Sequence, residues 1–591
     1  MATSPSPAIF LFLWFLCASN FNLGLCTLKV IHCNKNDQQA LLVFKQGVVD
    51  PTGLLSSWSI HSDCCQWSGV QCDNITGRVT GLSLPCPYYD YYGNYYDKSK
   101  CLGGQINLPL FQLEFLESLD LKENDFKGID LCPTHVNHNL SRPMSPQECE
   151  KFSKLLNLDI SYNNDLNVGD LLWIFHLPSL KSLYLSGIDL HIQTHWVRLM
   201  TELPSISELR LRNCQLGNIH PPLGWYVHSS SLQSLDLSYN FFDSRMFKWV
   251  SNLTSLSHLT LEGNHFRGQI PDTVLRLRNL KSLGLAYNEF NGSIPEWLGQ
   301  YEFLERLDLF VNLFSGPIPT TLGNLSSLIF IDISANLLNG SLPESLGKLS
   351  NLEELRVGNN SLVGVISEKN FAKLWSLELI DFSEINIVFD LDSNWAPPIH
   401  LKFIHMYGAI MGSIFPSWLY SLGSLHYLNV SSSKISSIDP DKFWSLARRT
   451  YAYDVSNNLI GGDLSNVWLN SSWIDLRNNK FKGGLPRLSP KVAILNLANN
   501  SFSGSMAPLL CHPMNRRNKL AFLDMSHNQL SGELPDCFAN WQSLVYVNLG
   551  NNMLTGKIPD SVGSLSALQS FHLPKMNFLE LSLRPLKIAE T

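Results

Sequence analysis

Charge is scarce in this 591-residue chain: Asp, Glu, Lys and Arg make up 16% of it, and 43 basic against 50 acidic residues leave a net charge of -7. Phosphate backbones are held by clustered Lys and Arg, so this balance disfavours nucleic acid and no such partner is expected. Long polar tracts are missing as well, and an apolar content of 45% excludes intrinsic disorder. Catalytic signatures are absent: the chain has no Gly-x-Ser-x-Gly, no His-Glu-x-x-His, no phosphate-binding glycine loop and no kinase set. No Cys-x-x-Cys pair is present and no His-x-x-x-His stands beside the paired cysteines, so neither a metal nor a cofactor is expected. Beyond Leu28 no run reaches the ~18 to 20 consecutive apolar residues of a membrane span.

The one long apolar run stands at the start, Ala8 to Leu16, followed by small and polar residues around Cys17-Ala18-Ser19. That layout predicts a secretory leader within residues 1–28, its cleavage point left open by a second apolar patch at Phe21 to Leu28. A buried N-terminal helix is the alternative. The remainder of the chain as written is expected to be a soluble product of the secretory pathway.

From Leu119 onward the pattern Leu-x-Leu-x-x-Asn recurs. Five of its asparagines, Asn240, Asn264, Asn288, Asn312 and Asn336, are each 24 residues apart. The same place is held by Asn124, Asn163, Asn360, Asn458, Asn479, Asn500, Asn528 and Asn552, and by substitutes such as Cys214 and Ser433. Such periodicity specifies an α/β leucine-rich-repeat solenoid, here of about 20 coils between Leu82 and Phe571. The paired Leu alternate with polar residues at period two, which places one short strand in each coil with its apolar side in the core. A buried Asn amide both donates and accepts, so stacked Asn satisfy the backbone left unpaired where the chain bends out of the strand. We read these Asn as structural.

A second signature follows the Asn, as in Phe266-Arg-Gly268-Gln-Ile270-Pro271, Phe314-Ser-Gly316-Pro-Ile318-Pro319 and Leu554-Thr-Gly556-Lys-Ile558-Pro559. Its Gly permits a tight bend, and its Pro ends a short extended segment. Cys86 with Cys101, Cys132 with Cys149 and Cys511 with Cys537 bracket insertions, and three bridges are expected there, with Cys214 left unpaired. Ten Asn-x-Ser/Thr sequons, at Asn74, Asn139, Asn252, Asn291, Asn324, Asn339, Asn359, Asn429, Asn470 and Asn499, fit passage through the secretory pathway as a glycoprotein. The organisation expected is a leader at 1–28, an N-terminal cap with the first strand at 29–84, a solenoid at 85–570 with insertions at 86–101 and 132–149, and a degenerate tail at 571–591.

The Leu-x-Gly-x-Ile-Pro form resembles the plant-specific subclass of leucine-rich repeats. Cys33, the amphipathic stretch Asp37 to Lys45, Trp58 and Asp63-Cys-Cys-Gln-Trp-Ser-Gly-Val-Gln-Cys72 resemble the N-terminal cap of plant extracellular proteins of that class. The resemblance implies pairing of Cys33 with Cys64 and of Cys65 with Cys72, which spacing alone does not fix. Asp392-Ser-Asn-Trp395-Ala-Pro397-Pro398, Phe415-Pro416-Ser-Trp418-Leu419 and Phe443-Trp444, with Trp173, Trp196 and Leu211-Arg-Asn-Cys214, resemble the ectodomains of plant receptor-like proteins of the ethylene-inducing-xylanase receptor type, a disease-resistance family. That resemblance implies a place at the plasma membrane exterior, a microbial or endogenous protein or peptide ligand, no kinase of its own, and signalling through partner receptor kinases. The family continues with further repeats and a membrane helix where this sequence reads Pro574-Lys-Met576 and a non-repeating run to Thr591. Attachment to a membrane is therefore expected only of a product that continues past Thr591, and an apoplastic chain otherwise.

Side chains two, four and six residues before the Asn are expected on the concave strand face toward solvent. They include Arg210, Arg212, His258, Glu262, Arg306, Phe310, Phe330, Arg356, Phe403, His405, Tyr407 and Tyr427. Exposed aromatic residues and Arg together have the composition of binding hot spots. We take Arg306, Phe310, Phe330, Arg356, Phe403, His405, Tyr407 and Tyr427 as the candidate ligand-binding set. Six Tyr between Cys86 and Cys101 mark a loop better read as a tolerated insertion than as a contact surface. Ligand recognition by a non-enzymatic ectodomain is the function these features favour. The alternatives are a secreted inhibitor of a microbial cell-wall-degrading enzyme, which resembles this chain in cap and repeat subclass but has about half the coils, and a developmental peptide receptor.

Overall fold

In the computed structural model the described residues are 32–87, 98–106, 110, 113–129, 154–169, 171–193, 196–200, 202–218, 231–392, 395–398, 400–511 and 518–573. The expected leader, the Cys132 and Cys149 pair, Asn139, the Tyr run at 88–96 and the tail beyond 573 lie outside them. The chain forms two compact units, Met1–Leu158 with Leu166–Gly169, and Asp159–Asp165 with Asp170–Thr591.

The first unit begins with a helix, Lys35–Gly47. Asn34 caps it by accepting from the Asn36 N–H at 2.9 Å, and Ala40, Leu41 and Phe44 form its buried stripe. Phe44, Trp58 and Trp67 pack in sequence, with ring centroids 6.3 and 5.3 Å apart. Asp37 is fully buried in the first turn, where it accepts from Arg78 Nε at 2.9 Å, from Arg78 Nη2 at 3.1 Å and from the Val79 N–H at 2.8 Å. With three charge-assisted partners this carboxylate locks the helix to the first strand. That strand, Val79–Ser83, pairs antiparallel with Val70–Cys72 and parallel with Ser118–Asp120. Cys33 joins Cys64 and Cys65 joins Cys72, each pair with Cα atoms 5.5 Å apart.

Regular coils build the second unit. Leu235, Leu259, Leu283, Leu307, Ile331 and Leu355 face one another in turn on parallel three-residue strands, as a strict 24-residue spacing requires. Coil length then varies while the register holds: paired residues are 21 apart between Tyr453 and Ile474 and 28 apart between Leu495 and Leu523. The extra or missing residues are taken up after the strand. Ser570–His572 continues the sheet by pairing with Tyr546–Asn548, so the strands run into the segment expected to be tail.

Asn264 shows how each bend is held. Its Oδ1 accepts from the Phe242 N–H of the preceding coil at 3.0 Å, and its Nδ2 donates to the carbonyls of Leu237 and Leu261 at 3.1 Å. Asn288, Asn312 and Asn336 repeat the arrangement. The residue before the Asn is left-handed even where it is not Gly, as at Val311 with φ 50° and Ala335 with φ 53°. That conformation costs roughly 1 to 2 kcal/mol per residue, and the Asn bonds offset it. Cys214 fills one such place: its thiol donates to the Leu185 carbonyl at 3.2 Å, and burial pushes its pKa up to about 12.

Past the Asn, short second strands form a separate ladder on four coils from Arg267–Gly268 to Leu337–Asn339 and on five from Gly461–Asp463 to Met553–Thr555. Phe266, Phe290 and Phe314 stack beside the first of these at 5.6 and 5.9 Å, with their planes nearly parallel. Pro271, Pro295, Pro319 and Pro343 each start a 3-10 turn. The turns pack so closely that a Cβ on Gly323 would overlap the Ser345 carbonyl of the next coil.

Candidate functional site

The exposed face of the main sheet in the second unit is a grid. Leu and Ile fill the inward positions of most strands, with Tyr453 and Val547 in the same place on others, so the alternate residues project outward and in-register neighbours stand side by side. Two groups of the candidate residues are brought together on it.

In the first group the Arg306 guanidinium lies 3.5 Å from the centroid of the Phe330 ring, and Arg356 reaches the same ring at 5.8 Å. A carboxylate on its own strand orients each Arg: Asp308 meets Arg306 at 3.2 Å, and Glu354 meets Arg356 at 2.8 Å. Phe310 packs edge-on against Tyr287 at 5.2 Å. Burial raises the pKa of Asp332, opposed by hydrogen bonds from Ser334, and burial likewise raises Glu262, with Asp308 adding to the effect. Those carboxyls are thus held less acidic than in water.

The second group is aromatic. His405 stacks on Tyr427 at 4.8 Å, Tyr427 stands 6.2 Å from Trp473, Phe403 packs edge-on to His426 at 5.7 Å, and His426 lies flat on Tyr451 at 4.9 Å. Burial lowers the pKa of His405 against the opposing pull of Asp381, which favours the neutral imidazole. Tyr451 and Trp473 keep 55% and 40% of their surface exposed, enough to meet a partner. Tyr407 is 39% exposed and stands at the edge of the group.

His426, Tyr451 and Trp473 are additions to the set read from sequence. Trp473 stands six residues before Asn479, the offset that identified Arg306 and Tyr427, so the repeat register alone points to it. His426 and Tyr451 lie one residue earlier, just before their strands, and only the fold shows that they stack across coils. Arg210 lies over Tyr184 at 4.8 Å, and Arg212 lies over Tyr239 at 4.1 Å with the Glu262 carboxylate 4.0 Å away.

Two more bridges close the insertions within the described residues, Cys86 to Cys101 and Cys511 to Cys537, both with Cα atoms 5.2 Å apart. The four cap sulfurs lie within 4.8 Å of one another and are consumed in their two disulfides. No helix among the described residues is long and apolar enough to cross a membrane.

Comparison with known proteins agrees with this architecture. Residues 34–73 match the leucine rich repeat N-terminal domain, and residues 279–301, 519–541 and 543–565 match the Leucine Rich Repeat. Receptor-like protein EIX1 of Solanum lycopersicum is 34% identical over 263 residues, 42% of this chain and 25% of that protein. The Receptor-like protein Cf-9 homolog of the same species is 29% identical over 198 residues, 31% of this chain and 21% of that protein. The aligned part thus spans about a quarter of the length of these relatives. Among solved structures, the Arabidopsis receptor kinase HAESA in complex with the peptide hormone IDA and the co-receptor SERK1 superposes with a TM-score of 0.62, at 28% identity, over 92% of this chain and 90% of that one. The chain is a leucine-rich-repeat solenoid, similar to the plant receptor-like proteins of the EIX type.

Proposed function

We propose that this chain is an extracellular ligand-recognition ectodomain of a plant immune receptor-like protein, which binds a microbial protein or peptide on the exposed strand face and signals through partner receptor kinases. The observation that carries this reading is the Arg306, Phe330 and Arg356 group, where two guanidinium groups approach one ring on adjacent coils. Arg and aromatic side chains held in fixed geometry on a rigid sheet lose little conformational freedom when a partner arrives. Similarity to EIX1 favours the immune role. The likeness to HAESA, solved with a peptide hormone and a co-receptor, favours a second reading in which the ligand is an endogenous peptide.

The test is binding of the secreted full chain, immobilised, to a panel of secreted microbial proteins that includes a xylanase, with synthetic peptides in parallel. A ligand should emerge whose affinity falls by roughly 30-fold in each of Arg306→Ala and Phe330→Ala, the 2 kcal/mol of a hot spot. A ligand indifferent to both variants, with both variants folded, would remove the strand face from the mechanism.

A further inference from the structure

One sequon stands apart from the rest. Asn291 and Asn339 lie on second strands, Asn324 ends a 3-10 turn, and Asn359 and Asn499 occupy left-handed bends. Asn74, Asn252 and Asn470 also lie outside the main-sheet strands. Asn429 alone among the described sequons belongs to a strand of the main sheet, Tyr427–Asn429, in register between His405 and Asp454.

The place it fills is normally an Asp. Asp236, Asp381, Asp454 and Asp524 each accept from the N–H two residues on, closing the turn out of the strand. Asn429 does the same with Oδ1, accepting from the Ser431 N–H at 3.0 Å and from Ser431 Oγ at 2.6 Å. A backbone N–H meets only an acceptor, so the atom facing Ser431 is the oxygen and the other is Nδ2. On other coils of the sheet the corresponding second atom is turned to the face: Asp308 Oδ2 takes Arg306 at 3.2 Å, and Asp524 Oδ2 takes Asn548 Nδ2 at 3.1 Å. Tyr427 sits two residues earlier on the same side of the pleat, while Leu428 and Val430 point into the core.

We propose that Asn429 carries an N-linked glycan whose first N-acetylglucosamine lies over the aromatic group, against the Tyr427 ring and toward Trp473. Transfer forms a bond from Asn429 Nδ2 to C1 of the sugar. It breaks the C1–O bond to a lipid diphosphate donor, which leaves as the diphosphate while Nδ2 gives up one proton. Transfer precedes folding, so the burial of Ser431 in the finished coil does not oppose it. Afterwards the anchored Oδ1 holds the amide upright, and the apolar face of the sugar meets a ring whose π surface prefers C–H groups. The glycan then covers the Tyr427 half of the face and leaves Arg306, Phe330 and Arg356 open. Only passage through the secretory pathway is required, whatever the ligand.

The test is site-by-site occupancy of the full chain secreted from plant cells, read by mass spectrometry after enzymatic release in isotopically labelled water, followed by the rate of release from the native protein. Asn429 should be occupied as fully as Asn359 and Asn499 and released more slowly than either, and Tyr427→Ala should abolish the slow release. Ser431→Ala removes the sequon and keeps the closing bond, as Ala498 does with Asn496 Oδ1 at 3.1 Å, so it should yield a folded chain lacking that one glycan. An unmodified Asn429 beside modified Asn359 and Asn499 would overturn the proposal. Release at the Asn359 rate, unchanged by Tyr427→Ala, would overturn the covering of the rings.

Discussion

Replacing Asp475 with Asn should stabilise the solenoid at neutral pH and do little at acidic pH. Asp475 is buried on its strand, in register with Asp454 of the preceding coil, and burial followed by that neighbouring carboxylate pushes its pKa to about 6 from an ordinary 3.8. Arg477 approaches at 3.4 Å and offsets only part of this. A carboxyl that binds its proton more tightly folded than unfolded favours the fold at low pH. That advantage is lost as pH rises from about 4 to about 6, and above this range the charged group costs on the order of 2 to 3 kcal/mol. Asn keeps the acceptor for the Arg477 N–H, now 3.0 Å from Asp475, as Asn496 shows in the next coil. It also creates no sequon, because Arg477 follows two residues on. Hydrogen exchange of the strand Trp473–Asp475 reports this coil directly, which matters in a repeat array where one global transition does not describe every coil. Exchange should slow in the variant at pH 7.5 and match the native chain at pH 4 after correction for intrinsic rates. Equal protection of the two proteins at pH 7.5, or an equal gain at both pH values, would refute the reasoning.

Tyr453 fills a Leu position of its strand, with its hydroxyl buried and without a hydrogen-bond partner among the described residues; Tyr453→Phe should therefore add about 1 kcal/mol of stability, measured by urea unfolding. Gly323→Ala should cost about 1 to 3 kcal/mol because the new methyl group meets the Ser345 backbone, whereas Gly563→Ala, in the equivalent turn but with open space around it among the described residues, should be nearly neutral. Thermal melting of the two variants side by side checks the contrast. Cys214, buried and with its thiol pKa at about 12, should resist iodoacetamide in the native protein at pH 8 and react only after unfolding, as peptide mass spectrometry would show.

Strand register was legible because a fixed 24-residue spacing leaves one way to align Leu with Leu, and coils of 21 residues kept their Asn and therefore their register. Outward positions followed from the pleat, which is why Arg306, Phe330 and Tyr427 were identifiable before the fold was known. Properties that depend on the neighbouring coil were not legible. The tight place of Gly323 is set by Ser345, and the charge cost at Asp475 by Asp454. The stack of His426 on Tyr451 joins residues 25 apart that belong to no motif. Asn429 was legible as a sequon, but its place in a main-sheet strand, two residues after Tyr427 on the same side of the pleat, is given by the fold.

Fixed register with variable coil length has a further consequence. Strand spacing stays at ~4.8 Å along the sheet whatever each coil does elsewhere, so the face is a lattice of constant pitch. A whole coil added or removed slides one part of the lattice past the other by a single step and leaves both parts internally unchanged. Unequal crossing-over between coils thus creates new juxtapositions of intact side-chain rows, and point substitution then adjusts single lattice sites. Diversity in what such a face touches is reached without remaking the core that carries it.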